Sequence, residues 1–568
     1  MGRWWSRPWA AVGVLLLLCV AVYGVGLGGI PVIDRDEARF AQASRQMLES
    51  GDWVIPRVQD RPRLNKPPLI YWAQAASVWA LTGGDARRDA IWMYRLPSVL
   101  SAIGTVLLTW GLARRMSGAS VAFLAASMLA VSPLVAFDAH QARADQLLLL
   151  GTTWTMACLW ACWRAAHAGR PVPLGWATAF WLGIAAGVMT KGPITPLVAG
   201  LAIAALSFFG RSWRWTLGLR PLLGLMIVTG AVGPWVYAVA GQVGFANYLR
   251  LIWQESAGRA AGSSEGHFGP PGMHLILLVV LFWPGSLATA KGVVEALRDG
   301  WPRRAQGVTA LPWWRRVWNA LIDRRIGKPI DAFLLAWALP SWVFFELFGA
   351  KLAHYPMPLY PAVAILSARA VVSFAARGVR PGLVDVLVWR VVGSALAVAT
   401  IVLALITAMG AARPSPWITA GAVLAGLAAI VLVELRPRGT GYEQLLRRGR
   451  WAMMLVLVAD FLVARPYIPG DETARIMRAV RSIPGWEVRP LASAHRQDSI
   501  VFETRGRVER LDEPEVAAWL EQHPSGLAIV SDRAARPPSW RVVRSLLGSE
   551  AAPWSSGGRG WVVVELAR

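Results

Sequence analysis

Apolar stretches long enough to cross a bilayer recur from end to end of this 568-residue chain. A spanning helix needs about 20 mostly apolar residues, because each residue adds about 1.5 Å and the hydrocarbon core is about 30 Å thick. About thirteen such runs can be drawn, at residues 9–29, 91–113, 119–137, 147–165, 174–189, 194–209, 217–240, 273–294, 331–348, 357–375, 388–410, 417–433 and 451–464. That pattern, with 55% hydrophobic residues overall, describes a polytopic α-helical membrane protein and excludes a soluble globular one. The first run follows a basic start but no small-residue cleavage site stands out, so it reads as a retained span and not a removable signal.

The net charge of +24 is distributed in a way that argues against nucleic-acid binding. Arginines crowd the short loops at 114–115, 164–170, 211–220, 298–328, 377–380 and 436–450. With a cytoplasmic N-terminus, all of these fall on the inner side, as the excess of basic residues in cytoplasmic loops requires. Cys19, Cys158 and Cys162 lie inside apolar runs and offer no disulfide or metal spacing.

The opposite face receives residues 30–89, 138–145, 190–193, 242–272 and 349–354, and an odd number of spans sends the tail there too. These segments carry carboxylates, lysines and histidines. The expected division is a transmembrane domain over 1–465 and a small α/β domain over 466–568. In the tail, 499–502, 527–530 and 560–566 read as strands, and 513–522 reads as a helix started by Asp512.

Ionisable residues on one face are the candidate chemistry. Asp36 and Glu37 open an amphipathic helical stretch ending at Gly51, and Arg39 follows them. Carboxylates at a helix start satisfy its dipole, so the bland reading is an interfacial helix. Two carboxylates and two arginines within six residues at a membrane boundary favour function, since charge at that depth is costly. Lys66 precedes Pro67-Pro68, which can begin a helix; a lysine beside free backbone N–H groups makes an anion site. Asp138, His140, Arg143 and Asp145 share one short loop, Lys191 tips a tight break before Gly192-Pro193, Glu255 lies in the long outer loop, and Lys351 and His354 sit at another span boundary. One histidine flanked by aspartates supplies no third ligand, so no cofactor is assigned and a divalent cation stays an open alternative. The inventory of lysines, arginines and carboxylates suits a phosphate-bearing ligand with an acid–base group nearby.

Seven segments appear in order: DRDEARFA (34–41), SGDWVIPR (50–57), NKPPLIYW (65–72), RADQLLL (143–149), MTKGP (189–193), GPWVY (233–237) and KLAHYPMPLYPA (351–362). In these the chain resembles bacterial glycosyltransferases of the GT-C fold, the ArnT-like and protein O-mannosyltransferase superfamily. The resemblance implies sugar transfer from a polyprenyl-phosphate donor of the undecaprenyl-phosphate type, on the periplasmic face of the bacterial inner membrane and with inversion at the sugar carbon. The acceptor would be lipid A or lipopolysaccharide, another glycan or a protein. It also implies catalytic roles for Asp36 and Asp145, and carrier-phosphate binding by Lys66, with Arg39 and Lys191 as further phosphate ligands. Glu37, Arg143, Glu255, Lys351 and His354 are the remaining site candidates. Two positions depart from the pattern: Asn65 stands where an acidic residue often precedes the lysine, and Glu255-Ser256 where Glu-His is frequent. Both departures argue against carrying over a metal site. A transporter or flippase of a lipid-linked sugar is the alternative, but it would place ionisable groups at mid-membrane; a non-catalytic envelope scaffold is a third reading.

Overall fold

The computed structural model describes residues 4–260, 269–301, 326–409, 415–435, 441–463, 471–534, 537, 539–546 and 560–566. Most of the arginine-rich loop at 298–328, together with Glu265, His267 and the side chain of Glu255, lies outside the described residues.

Helices follow the apolar runs. α1 (Pro8–Gly24) starts on a proline at its first turn. A short loop leads to α2 (Asp36–Ser50), and a tight two-stranded hairpin, β1 (Arg57–Val58) and β2 (Arg61–Pro62), leads to α3 (Leu69–Thr82). Then come α4 (Ile91–Ser117), α5 (Ala119–Ala130), α6 (Pro133–Ala139), α7 (Asp145–His167), α8 (Leu174–Lys191), α9 (Ile194–Gly210), α10 (Pro221–Val243), α11 (Phe245–Ala260), α12 (Met273–Leu281) and α13 (Ser286–Gly300). Five more long helices, Pro329–Leu347, Tyr360–Ala376, Leu383–Met409, Pro416–Glu434 and Tyr442–Val463, complete the bundle.

Among the described residues six helices are long and apolar enough to cross a membrane. A seventh arises if α5 and α6, bent by 57° where Val131-Ser132-Pro133 interrupts them, count as one. The expected thirteen are therefore not all long, uniformly apolar rods. The run at 273–294 is two helices, α12 and α13, separated at Phe282–Gly285, because Pro284 and Gly285 interrupt the hydrogen-bond ladder. One helix the apolar-run reading left unassigned is α3, which lies within the 30–89 segment.

Close helix approach depends on small residues where lipid supplies no hydrophobic drive. A Cβ on Gly187 of α8 would meet Thr195 of α9 at 2.4 Å. Thr195 in turn shares a hydrogen bond of 2.8 Å with Thr152 of α7. Three helices are thus locked together one turn below Lys191.

A buried ion pair fixes the opening segment. Glu37 and Arg95 have no exposed side-chain surface. Arg95 spends all five N–H groups: two on the Glu37 carboxylate at 2.8 and 2.9 Å, and three on the carbonyls of Leu27, Ile30 and Pro31. Glu37 also accepts from the backbone N–H of Ile33 and of Ala142, both at 2.8 Å. Glu37, a site candidate by sequence, is a structural tie.

The tail forms a mixed sheet of five strands: β3 (Leu491–Ser493), β4 (Glu509–Arg510), β5 (Leu527–Ser531), β6 (Trp540–Leu546) and β7 (Trp561–Leu566), in the order β4-β3-β5-β7-β6. β4, β3 and β5 run parallel, while β7 and β6 are antiparallel. Alternation along β5 sends Leu527 and Ile529 to one face, against Ile476, Met477 and Val480 of the helix Asp471–Arg481. Ala528 and Val530 go to the other, against Val516, Trp519 and Leu520 of the helix Glu515–Gln522. The expected strands at 527–530 and 560–566 and the expected helix are present. The expected strand at 499–502 is instead a helix, Ser499–Glu503. A serine and three apolar residues carry too little periodicity to separate the two states, and here Ile500 and Val501 enter the tail's core while Phe502 packs against α2 and α4.

Glu37→Gln leaves Arg95 as an uncompensated buried charge, and breaking such a pair costs about 3–5 kcal/mol. Thermal unfolding in detergent should show a strongly lowered midpoint, whereas a surface control such as Glu521→Gln, at an exposed position, should not.

Candidate active site

Asp36 is the first residue of α2, and its carboxylate is half-exposed. Arg63 lies 3.4 Å from one oxygen and Arg143 lies 3.8 Å from the other. Crowding by the protein raises its pKa, but the charges of Arg143, Arg63 and Lys191 outweigh this and hold the carboxyl below its usual range. Arg63 is itself aimed by a hydrogen bond of 3.0 Å to the Tyr71 hydroxyl and by stacking 4.7 Å over the Phe40 ring. Sequence reasoning missed it; its place three residues before Lys66, between a hairpin and a helix start, was the available signal.

From Asp36 the charges continue in alternation. Arg143 reaches Asp145 at 3.3 Å, and Asp145 accepts from Lys191 Nζ at 2.5 Å. Asp145 is the first residue of α7 and Lys191 the last of α8, so the helix contacts below them set this pair. His354 Nε2 lies 3.3 Å from the Arg143 guanidinium and 3.6 Å from Asp145. Burial pushes the imidazole down to about 3, the neighbouring Asp145 pulling the other way, so it is neutral. Its Nε2 then accepts from Arg143 and Nδ1 carries the proton. Asp138 sits 3.9 Å from Arg143, buried, with neither oxygen in a hydrogen bond among the described residues.

This row borders a cavity of about 460 Å³. Asn65, Lys66, Asp145, Lys191 and His354 are among the residues that line it. The rest is apolar, including Leu148, Leu197, Val232, Trp235 and Phe344. Pro193 and Ile194 at the start of α9 also face it. Trp235 is fixed by donating to the Val54 carbonyl at 3.0 Å, which closes the 52–56 loop over this wall.

The structure thus brings together Asp36, Arg143, Asp145, Lys191, His354 and Lys66. It takes three candidates elsewhere. Arg39 points to the tail, pairing with Asp498 at 2.7 Å, and not to the cavity. Lys351 is buried with its ammonium on the Gly269 carbonyl at 3.1 Å. Glu37 serves the Arg95 tie. The side chain of Glu255 lies outside the described residues. No group of three or more His, Cys, Asp or Glu with metal-holding geometry occurs among the described residues.

Similarity to known proteins follows the same outline. The family described as dolichyl-phosphate-mannose-protein mannosyltransferase matches residues 65–237. An undecaprenyl phosphate-alpha-4-amino-4-deoxy-L-arabinose arabinosyl transferase of Pseudomonas paraeruginosa is 32% identical over 374 residues, 65% of this chain and 59% of that protein. The protein of that name from Edwardsiella ictaluri is 29% identical over 362 residues, 62% of this chain and 58% of the relative. The alignments therefore span under two thirds of these relatives' lengths. The crystal structure of ArnT from Cupriavidus metallidurans bound to undecaprenyl phosphate superposes with a TM-score of 0.70, at 20% identity and 98% coverage of both chains. The archaeal oligosaccharyltransferase AglB from Archaeoglobus fulgidus gives 0.52, at 11% identity over 93% of this chain and 70% of that one. By sequence the chain is similar to these arabinosyl transferases, and by fold it is similar to ArnT, a GT-C architecture.

Proposed function

We propose that this protein is a glycosyltransferase that moves a sugar from a polyprenyl-phosphate donor to an envelope acceptor on the periplasmic face of the bacterial inner membrane. The observation that carries the reading is the mixed lining of the cavity: Lys66 and Lys191 share it with a predominantly apolar set of side chains. A lipid phosphate has that chemistry, with an anionic head and a hydrocarbon tail. The names of the relatives, which specify an undecaprenyl-phosphate-linked sugar, support the donor class.

In this reading Lys66 and Lys191 meet the carrier phosphate, helped by the N-terminus of α9. The acceptor oxygen attacks the anomeric carbon from the face opposite the carrier. The bond from that carbon to the phosphate oxygen breaks, its electron pair leaves with the phosphate, and the sugar is inverted. Lysines already in place stabilise the charge that develops there, which lowers the barrier without reorganisation. Asp36, held ionised between two arginines, is a weak base. Its role is to orient the acceptor and balance charge, and it takes a proton only if the acceptor is a hydroxyl. Asp145 keeps Lys191 and Arg143 aimed. Lipid A, another glycan and a protein side chain are the acceptor classes to be separated by experiment. The domain division proposed is a catalytic membrane part and an appended α/β domain on the same face.

Mass spectrometry of envelope glycolipids and glycans with and without the protein tests the reading; an identical profile would count against it. With the transferred sugar identified, Asp36→Asn should lower kcat by about a hundredfold or more while the protein stays folded. Lys66→Ala should weaken donor binding by about tenfold, read as donor Kd by titration, with unchanged Kd removing its phosphate role. Because the active form of Asp36 is ionised and its pKa is lowered, transfer should persist as pH falls through the ordinary carboxylate range. Arg143→Gln removes the largest charge holding it down, so its pH–rate profile should lose activity at a higher pH than the parent's.

A further inference from the structure

We propose that the C-terminal domain is a positioning part of the catalytic centre: residues 498–508 clamp the helix that carries Asp36 and fix where its carboxylate points. The inference rests on the reading of Asp36 as a reacting-centre residue.

The clamp grips the Asp36 segment at four heights. Ahead of Asp36, the backbone N–H of Ser499 donates to Asp34 Oδ1 at 3.1 Å. One turn into α2, Arg39 pairs with Asp498, whose other oxygen is held by Arg510 at 2.9 Å. Midway, Arg45 donates to the Phe502 carbonyl at 2.7 Å and lies 3.9 Å over the Phe502 ring. Phe502 is buried, edge-on to Tyr94 of α4. Beyond the helix, Gln59 donates to the carbonyls of Gly506 and Val508. Arg505 closes the far side on Asp89, which also accepts from Arg45 and Tyr94.

A conformational observation says what the clamp is for. Arg35 has φ 63° and ψ −101°, a region that non-glycine residues rarely occupy. It stands between two anchors: Asp34, held by the C-terminal domain, and Glu37, held by Arg95. Strain at one residue persists only where its surroundings over-determine it. Released at Asp34, the backbone at Arg35 relaxes, and the next residue, Asp36, turns with it away from Arg63 and Arg143. The buried tie holds Glu37 after the strained residue and Ile30, Pro31 and Ile33 before it, but the side chain of Asp34, which adjoins Arg35, is held by the C-terminal domain.

The test uses the full chain in lipid nanodiscs with a polyprenyl-phosphate sugar donor. Asp34→Ala removes the anchor from the membrane side, Phe502→Ala loosens it from the domain side, and Phe502→Leu is the conservative control. We expect Asp34→Ala and Phe502→Ala to lower kcat by about tenfold with donor KM within about twofold. Amide exchange over residues 34–41 should rise while exchange over 91–117 holds, and Phe502→Leu should recover most of the rate. Parental kcat in both variants overturns the proposal. So does a general rise in exchange with kcat and KM moving together, which would make the domain a stabiliser only. If the parent protein transfers no sugar, the functional reading fails on its own; unchanged exchange over 34–41 in Asp34→Ala would then refute the clamp, and a local rise would support it.

Discussion

One buried ion pair, Glu37 with Arg95, sets the geometry on which the rest of the site depends. Removing two charges from water is expensive, and the cost is met only when each donor and acceptor finds a partner. Here Arg95 spends every N–H, and Glu37 accepts from four groups. The partners come from the end of the first span, the start of α2 and the loop before α7. The neighbours in sequence of two of these partners are the site residues themselves. Asp36 adjoins Glu37, and Arg143 adjoins Ala142, whose N–H Glu37 receives. The approach of Asp36 to Arg143 is therefore inherited from a contact in which neither takes part.

The site is a line of alternating charge laid along the border between a polar surface and an apolar cavity. Arg63, Asp36, Arg143, Asp145 and Lys191 each touch the next. Such a line gives every charge an opposite neighbour, which offsets the cost of partly burying it. A neutral His354 adds an acceptor without adding charge. The small-residue contact at Gly183 of α8, where a Cβ would meet Thr155 of α7 at 2.4 Å, carries the same logic into the bundle, since α7 and α8 must approach closely for Asp145 and Lys191 to meet.

Much of this was legible in the sequence. Apolar run length announced the helices, and charge placement grouped Asp36, Lys66, Asp145, Lys191 and His354, which the structure brings together around one cavity and its border. Illegible were the things that depend on directions of side chains across long separations. Arg39 and Glu37 look like Asp36 in sequence, but successive helical positions point about 100° apart, and only the fold says which direction meets the cavity. Arg63 escaped notice because its importance comes from Asp36 and Phe40, which lie on a helix well before it in sequence. The helix at Ser499–Glu503 was too short for its period to be read, and the break at Phe282–Gly285 lay hidden within a continuous apolar run.

The contact between Arg45 and Phe502 joins residues 457 positions apart. That separation has a temporal meaning during synthesis. At about 5–20 residues per second, the ribosome needs roughly 20–90 s to make the stretch between them. For that interval the Asp36 segment has emerged while its clamp does not yet exist. The helices of the bundle are thus made first and the Asp36 segment meets its last partners at the end, so a chain arrested late in translation would be helical yet leave the proposed site unset.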